Sequence, residues 1–168
     1  MSMLDGLWNL FGHAHDPLPP EVARSMKWDG RFLALAEGIA SWSKDPSTKT
    51  GAVLVRPDRT ICATGYNGFP RGMGDGPERY ADREDKLRRV IHCEMNAILT
   101  AHEPSLRGYT LYTWPFISCY RCAVHVVQAG IARCVAPAAD PAVEERWELW
   151  RTREFLRECG VELHEVRT

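Results

Sequence analysis

Two short segments carry residue types that can do chemistry together: HCE at residues 92–94 and CYRC at residues 119–122. Each segment stands at the predicted start of a helix. Residues three apart lie on one face of a helix, so Cys119 and Cys122 can bind one ion. The partial positive charge at a helix N-terminus favours their thiolate forms. With His92 as a third ligand, the set predicts a His/Cys/Cys zinc site with a fourth position open to water, as in catalytic zinc sites.

Glu94 is predicted to act beside the metal and not to bind it. Positions two apart on an ideal helix point about 200° away from each other, so His92 and Glu94 converge only if His92 lies at the irregular junction before the first turn. From there the carboxylate could take a proton from metal-bound water and pass it to a substrate nitrogen. A zinc ligand, a non-ligating Glu and a later C-x-x-C form the signature of zinc-dependent base deamination.

Either segment alone is less specific. A lone C-x-x-C also fits a redox pair or half of a structural zinc site. A structural site would require a fourth Cys or His at pair-like spacing, and a thioredoxin-like motif would follow the first strand, whereas here it follows the third. The other four cysteines are interpreted as small buried hydrophobic residues: Cys62, Cys93, Cys134 and Cys159.

The elements that must position these segments follow one another in the order α-β-β-α-β-α-β-α-β. The predicted helices cover residues 30–43, 93–102, 119–129 and 143–158, and the predicted strands cover residues 51–55, 60–65, 109–113, 131–136 and 161–164. A Gly-rich loop at 65–76 and a charged stretch at 78–89 separate the hairpin from the second helix. An opening hairpin followed by alternating helices and strands predicts an α/β fold, a three-layer α/β/α arrangement around a central mixed five-stranded sheet.

The first helix is predicted from a cap and an apolar face. Asp29 is a suitable N-cap for a helix that starts at Gly30. The apolar face recurs at helical spacing: Phe32, Leu35, Ala36, Ile39 and Trp42. Residues 1–27, which contain three nearby prolines, are interpreted as a loosely ordered N-terminal arm, and residues 28–168 as one domain that carries the zinc-dependent deaminase signature.

Length and charge exclude several classes of function. The chain has 168 residues, which suits one domain. Lys and Arg number 21 against 22 Asp and Glu, a balance that argues against a polynucleotide as the main partner. No apolar run approaches the roughly 20 residues of a membrane helix, and the N-terminus lacks a convincing secretory signal. We therefore expect a cytoplasmic protein with no membrane partner.

Four segments resemble one known family. They are SKDPSTKTGAVLV at 43–55, GYNGFPRG at 65–72, HCEMNAI at 92–98 and CYRCAVHVVQAGI at 119–131. From about Trp28 to Val166 the chain resembles the deoxycytidylate (dCMP) deaminases of the cytidine deaminase-like superfamily. The resemblance implies that superfamily's fold and the hydrolysis of dCMP to dUMP with loss of ammonia, which supplies dUMP for dTMP synthesis.

The resemblance also implies roles for individual residues. Glu94 would carry protons between the attacking water, ring N3 and the leaving amine, and Asn67 would contact the sugar of the deoxynucleotide substrate. The segment Ser47, Thr48 and Lys49 would receive the 5′-phosphate. The ligands of Zn²⁺ would be His92, Cys119 and Cys122.

Regulation and assembly are expected on the same basis. Members of the family often respond to dCTP as activator and dTTP as inhibitor. Tyr66, Gly68 and Arg71 lie in the loop that resembles the effector-holding part of the family, although a loop without any ligand is an equally good interpretation. A homo-oligomer, dimer or hexamer, is expected.

The segment WPFISC departs from the family pattern. Ser118 stands where the family has Pro directly before the first zinc Cys, and Pro115 lies upstream with about one residue inserted. Trp114, Phe116 and Ile117 are therefore expected to shape an altered pocket beside the base. This leaves open a deaminase of another free or 5-modified cytosine nucleotide, or a non-catalytic zinc-containing nucleotide-binding regulator. Glu94 argues against the regulator, because a structural zinc site needs no proton carrier.

Overall fold

The central element is one mixed sheet. The computed structural model describes residues 20–167, so residues 1–19 of the predicted arm lie outside the described residues. The strands are β1 (Gly51–Val55), β2 (Ile61–Tyr66), β3 (Thr110–Trp114), β4 (Arg133–Pro137) and β5 (Glu162–Val166). They lie in the order β2-β1-β3-β4-β5, with β1 antiparallel to both neighbours and β3, β4 and β5 parallel. The predicted hairpin and mixed five-stranded sheet are confirmed.

Helices cover both faces of this sheet. They are α1 (Pro20–Ala40), α2 (Pro77–Ala81), α3 (Arg83–Arg89), α4 (Cys93–Thr100), α5 (Tyr120–Gln128), α6 (Pro141–Trp147) and α7 (Leu149–Glu158). Successive side chains of a strand point to opposite faces. Val53 and Val55 accordingly pack against α1, whereas Ala52 and Leu54 pack in a second cluster with α4, α5 and α7. Burial on both faces explains why β1 is apolar throughout, and the three-layer prediction is confirmed.

The start of the first helix was predicted wrongly. α1 begins at Pro20, ten residues before the predicted start, so residues 20–27 of the predicted arm are helical. Asp29 is no N-cap: it lies within α1, where its carboxylate accepts two hydrogen bonds from Arg133, each 2.8 Å long. In the sequence, a helix cap and the acidic partner of a buried ion pair cannot be told apart, because each is a single acidic residue. α1 ends at Ala40, and Trp42, predicted on its apolar face, is 60% exposed.

Two other segments contain helix boundaries that the sequence did not indicate. The charged stretch 78–89 forms α2 and α3, and the Asp82 side chain caps α3 by accepting from the Asp85 amide. The helix predicted over 143–158 is divided at Glu148, whose left-handed backbone (φ 47°) separates α6 from α7. Within residues 20–167, no helix has the length and apolarity needed to cross a bilayer.

Two glycines let helices lie directly on the sheet. A Cβ at Gly65 on β2 would overlap the carbonyl oxygen of Cys93, at the start of α4. A Cβ at Gly51 on β1 would overlap the carbonyl oxygen of Ala36 in α1. Because only glycine permits so close an approach, Gly65 brings the N-terminus of α4, and with it the HCE segment, against the hairpin.

Candidate active site

The three predicted ligand side chains meet in one cluster. His92 Nδ1 lies 3.4 Å from Cys119 Sγ and 3.4 Å from Cys122 Sγ. All three donor atoms lie within 4.8 Å of one another. Zinc–nitrogen bonds of about 2.0 Å and zinc–sulfur bonds of about 2.3 Å at tetrahedral angles place N and S roughly 3.5 Å apart. The cluster therefore fits a tetrahedral zinc ion with three protein ligands and one open position.

Two helix N-termini form this cluster. His92 directly precedes α4 with an extended backbone (φ −74°, ψ 158°), and Cys119 directly precedes α5 in the same way (φ −65°, ψ 160°). Neither side chain caps its own helix, so both remain turned toward the cluster. The amide groups of both first turns add partial positive charge that favours thiolates. The predicted junction before α4 is confirmed.

The groups of the cluster shift one another's pKa values. The neighbouring Cys122 thiol, together with His92, lowers the pKa of Cys119 to about 4. Contact with Cys119 in turn raises the pKa of Cys122. The pKa of His92 is raised because Cys119 accepts a hydrogen bond from its ring. One imidazole nitrogen and two cysteine sulfurs form a donor set that suits Zn²⁺.

Glu94 shares a pocket with this cluster. It lies in the first turn of α4, is 5% exposed, and lines the same pocket as His92 and Cys119. Its Oε2 accepts a hydrogen bond from Cys93 Sγ at 3.2 Å. His92 and Glu94 therefore converge although they are only two residues apart, because His92 lies outside the helix. A buried carboxylate beside a metal site is placed to carry protons.

One wall of the pocket is aromatic and apolar. Trp114, Phe116 and Ile117 line it, which confirms that the WPFISC segment shapes the pocket. Trp147, at the end of α6, completes this wall and lies 6.2 Å from Phe116 between ring centroids. The position of Trp147 in this wall could not be predicted from the sequence, because the residue is distant in the chain and carries no motif.

Another part of the pocket lining is a polar loop held by a buried ion pair. Asp45 Oδ1 accepts from the amides of Ser47 (2.8 Å) and Thr48 (3.3 Å) and from Lys86 Nζ (3.0 Å). The side chains of Asp45 and Lys86 are only 5% and 7% exposed. Lys86 was missed because it lies in a charged stretch that, in sequence, is typical of a solvated surface. We call Asp45, Ser47, Thr48, Asn67 and Lys86 the polar wall.

Asn67 lies at this wall as predicted, but its amide holds the protein loop. Its Oδ1 accepts from the Thr50 amide at 2.8 Å, and its Nδ2 donates to the Thr48 carbonyl at 2.9 Å. An amide oxygen has two acceptor positions, so one remains for a ligand. Contact between Asn67 and a sugar stays a prediction.

Some of the remaining predicted residues line the pocket or a hollow beside it, and others lie at the end of β2 and in the loop that follows it. Ser47 and Thr48 line the pocket, whereas Lys49 lines an adjoining hollow and donates to the Ser41 carbonyl at 3.5 Å. Tyr66, Gly68 and Arg71 are not among the described residues that line either space. Gly68 pairs through its backbone with Ile91, and the side chains of Tyr66 and Arg71 are exposed. An effector role for this loop stays a prediction.

Comparison with known proteins identifies the family. Residues 26–138, which include the cluster and Glu94, match the model described as "Cytidine and deoxycytidylate deaminase zinc-binding region". The chain belongs to this family. It is therefore an enzyme, a deaminase, and its cofactor is zinc.

Several proteins are similar to this deaminase over much of its length. An uncharacterized deaminase in the luxG 3′ region of Aliivibrio fischeri is 36% identical over 82% of the chain and 92% of its own length. A probable deoxycytidylate deaminase of Drosophila melanogaster is 40% identical over 64% of the chain, but the match spans only 58% of that protein. The structure of the dCMP deaminase of cyanophage S-TIM5 superposes with a TM-score of 0.63. The superposition covers 89% of this deaminase and the whole phage protein, and at 22% identity it shows the fold.

Proposed function

We propose that this deaminase hydrolyses dCMP to dUMP and ammonia. The observation that carries the proposal is that Glu94 lines the same pocket as His92 and Cys119, which form a metal-binding cluster with Cys122. Relatives named deoxycytidylate deaminase, including the human protein at 34% identity over 66% of the chain, support the choice of substrate.

The chemistry divides between the cofactor and Glu94. His92, Cys119 and Cys122 would hold Zn²⁺, which when bound lowers the pKa of water and supplies a nucleophile near neutral pH. Glu94 receives the proton of the attacking water and delivers it to ring N3 as oxygen adds to C4. Glu94 then carries a second proton to the amino group, which leaves as ammonia while the C4 carbonyl forms. Because Glu94 is buried, bulk water does not compete for these protons.

The pocket walls orient the substrate. The aromatic wall of Trp114, Phe116 and Trp147 provides faces against which a pyrimidine can pack and from which water is excluded. On the polar wall, the free acceptor position of Asn67 Oδ1 would take a sugar hydroxyl, and the loop at 47–49, of which Ser47 and Thr48 line the pocket, would receive the 5′-phosphate. These contacts follow the roles that the resemblance implies.

The proposal also covers regulation and assembly, in less detail. Activation by dCTP and inhibition by dTTP would act through the loop that contains Tyr66, Gly68 and Arg71. Asn67 of this loop lines the substrate pocket, whereas Tyr66, Gly68 and Arg71 do not, which agrees with a separate effector site. A homo-oligomer, a cytoplasmic location and a place in dUMP supply remain predictions from the resemblance.

A substrate panel tests the proposal. The ultraviolet change from cytosine to uracil would be followed for dCMP, CMP, deoxycytidine, dCTP and 5-methyl-dCMP, each with and without dCTP and dTTP as effectors. We expect the highest kcat/KM for dCMP, loss of turnover after chelation of zinc, and recovery when zinc is added back. Preference for the 5-methyl compound would assign the altered WPFISC wall to a modified base. No turnover by the zinc-loaded protein would contradict the proposal.

A further inference from the structure

Most of the charges around the pocket have partners within the protein. Asp45 and Lys86 neutralise each other in the polar wall. Glu94 lies at the metal cluster. The two remaining charged side chains that line the pocket are Arg83 and Arg146. Within the described part of the chain, neither has a carboxylate at salt-bridge distance. The pocket therefore has two cations without an internal partner.

These arginines lie in the outer part of the pocket. Both are exposed, whereas Glu94 and Cys122 are buried. Arg83 is the first residue of α3, one turn before Lys86. Arg146 lies near the end of α6 and also lines the adjoining hollow with Ser47 and Thr48. Its guanidinium lies over the Trp147 ring, 5.5 Å from the centroid, which limits where the group can point.

The chemistry of this region suits a phosphate monoester. A guanidinium donates two parallel hydrogen bonds to phosphate oxygens, and two guanidinium groups match the dianion in charge. The Glu94 carboxylate repels an anion from the inner part, so an anionic ligand places its charged end outward and its neutral ring inward. A deoxynucleotide has this distribution of charge.

We propose that Arg83 and Arg146 bind the 5′-phosphate from two sides and so determine the preference for a nucleotide over a nucleoside. This inference rests on the proposed function and extends it, because the sequence analysis assigned the phosphate only to residues 47–49. It makes α3 and α6 part of the substrate site, although neither carries a residue of the chemical step.

The test measures product binding as well as turnover, using the zinc-loaded full chain. Affinities for dUMP and deoxyuridine would be measured by isothermal titration calorimetry for the wild type, Arg83→Gln and Arg146→Gln. Matched controls are Arg88→Gln on α3 and Arg151→Gln on α7, whose side chains pair with glutamates outside the pocket. Loss of one charged hydrogen-bonding partner predicts a roughly 10- to 100-fold fall in dUMP affinity, and a similar rise in KM for dCMP with a much smaller effect on kcat.

The results separate this inference from the proposed function. A fall in the dUMP-to-deoxyuridine affinity ratio in both pocket variants but in neither control supports the inference, as does partial recovery in Arg83→Lys and Arg146→Lys. An unchanged ratio, or a wild type that binds dUMP and deoxyuridine equally well, overturns it. If the wild type deaminates no cytosine compound, the proposed reaction fails, and the affinity ratios still decide whether the arginines bind phosphate.

Discussion

The metal cluster and the polar wall line one pocket, yet they are built from very different stretches of chain. The metal cluster needs two segments, each a helix N-terminus whose functional residues lie within four positions. The polar wall joins Asp45 to Lys86, 41 residues later, and to Asn67, 22 residues later. The cluster therefore depends on two local helix starts, whereas the wall depends on long-range burial of a charged pair. Disruption of the cluster should affect chemistry, and disruption of the wall should affect folding and substrate binding together.

The largest effect is expected from Glu94→Gln, which tests the chemical side of this comparison. The amide cannot carry a proton, so kcat should fall by roughly 10²- to 10⁴-fold. Zinc content by atomic absorption and the melting temperature should stay near wild type, because Glu94 binds no metal and the amide has the same shape. A variant that keeps near-normal kcat would show that another group carries the protons.

Asp45→Asn tests the polar wall. It leaves Lys86 buried without a counter-charge, which should lower the free energy of unfolding by about 3–5 kcal/mol. The Ser47 and Thr48 amides would then donate to a neutral amide oxygen in place of a carboxylate, which weakens the anchor of the loop, so KM for dCMP should rise while zinc content is unchanged. Urea denaturation and steady-state kinetics measure the two effects. Loss of stability with an unchanged KM would mean that the ion pair supports the fold alone.

Asp29→Asn is the matched control on the far face of the sheet. Asp29 is 2% exposed and binds Arg133, His164 and the Tyr112 hydroxyl, so it is the same kind of buried pair away from the pocket. The free energy of unfolding should fall by about 3 kcal/mol, with kcat and KM near wild type at temperatures where the variant is folded. A change in KM comparable to that of Asp45→Asn would remove the distinction between the two pairs.

The Asp29 pair also predicts a pH dependence. Burial alone would raise the pKa of Asp29, but the hydrogen bonds from Arg133 and His164 outweigh burial and hold this pKa well below 3.8, its ordinary value. Because the pKa of Asp29 is lower in the folded state than in the unfolded state, ionised Asp29 stabilises the fold at pH values above its unfolded pKa. This stabilisation decreases progressively as the pH falls below about 4 toward the folded-state pKa. Urea denaturation between pH 3 and 6 should show a steeper loss of stability in wild type than in Asp29→Asn.

Much of this molecule follows from local patterns in the sequence. The apolar runs and turns predict five strands in the correct order of elements, and the HCE and CYRC segments predict the metal cluster and the position of Glu94. Ser47, Thr48 and Asn67, which the resemblance assigns to the substrate, line the same pocket as that cluster, and their contacts with a substrate stay predictions. These predictions succeed because periodicity, caps and motif spacing are properties of neighbouring residues.

The errors share one physical cause. Asp29 was interpreted as a cap, Lys86 was part of an apparently solvated stretch, and Arg146 and Trp147 carried no signal. In each case the role depends on a partner that is distant in the chain and becomes adjacent only after folding. Whether a charged residue is solvated, paired in the interior or turned toward a ligand is decided by that partner.

The sequence by itself determined the five strands, the family and the groups that can bind zinc and move protons. Only the tertiary structure decided which side chains enclose the substrate space. α3 and α6 bring arginines to the outer pocket, and the buried Asp45–Lys86 pair holds the loop at residues 47–49. The reason is that local patterns specify helices, strands and motif spacing, whereas the walls of a pocket arise from packing between segments that no local pattern connects.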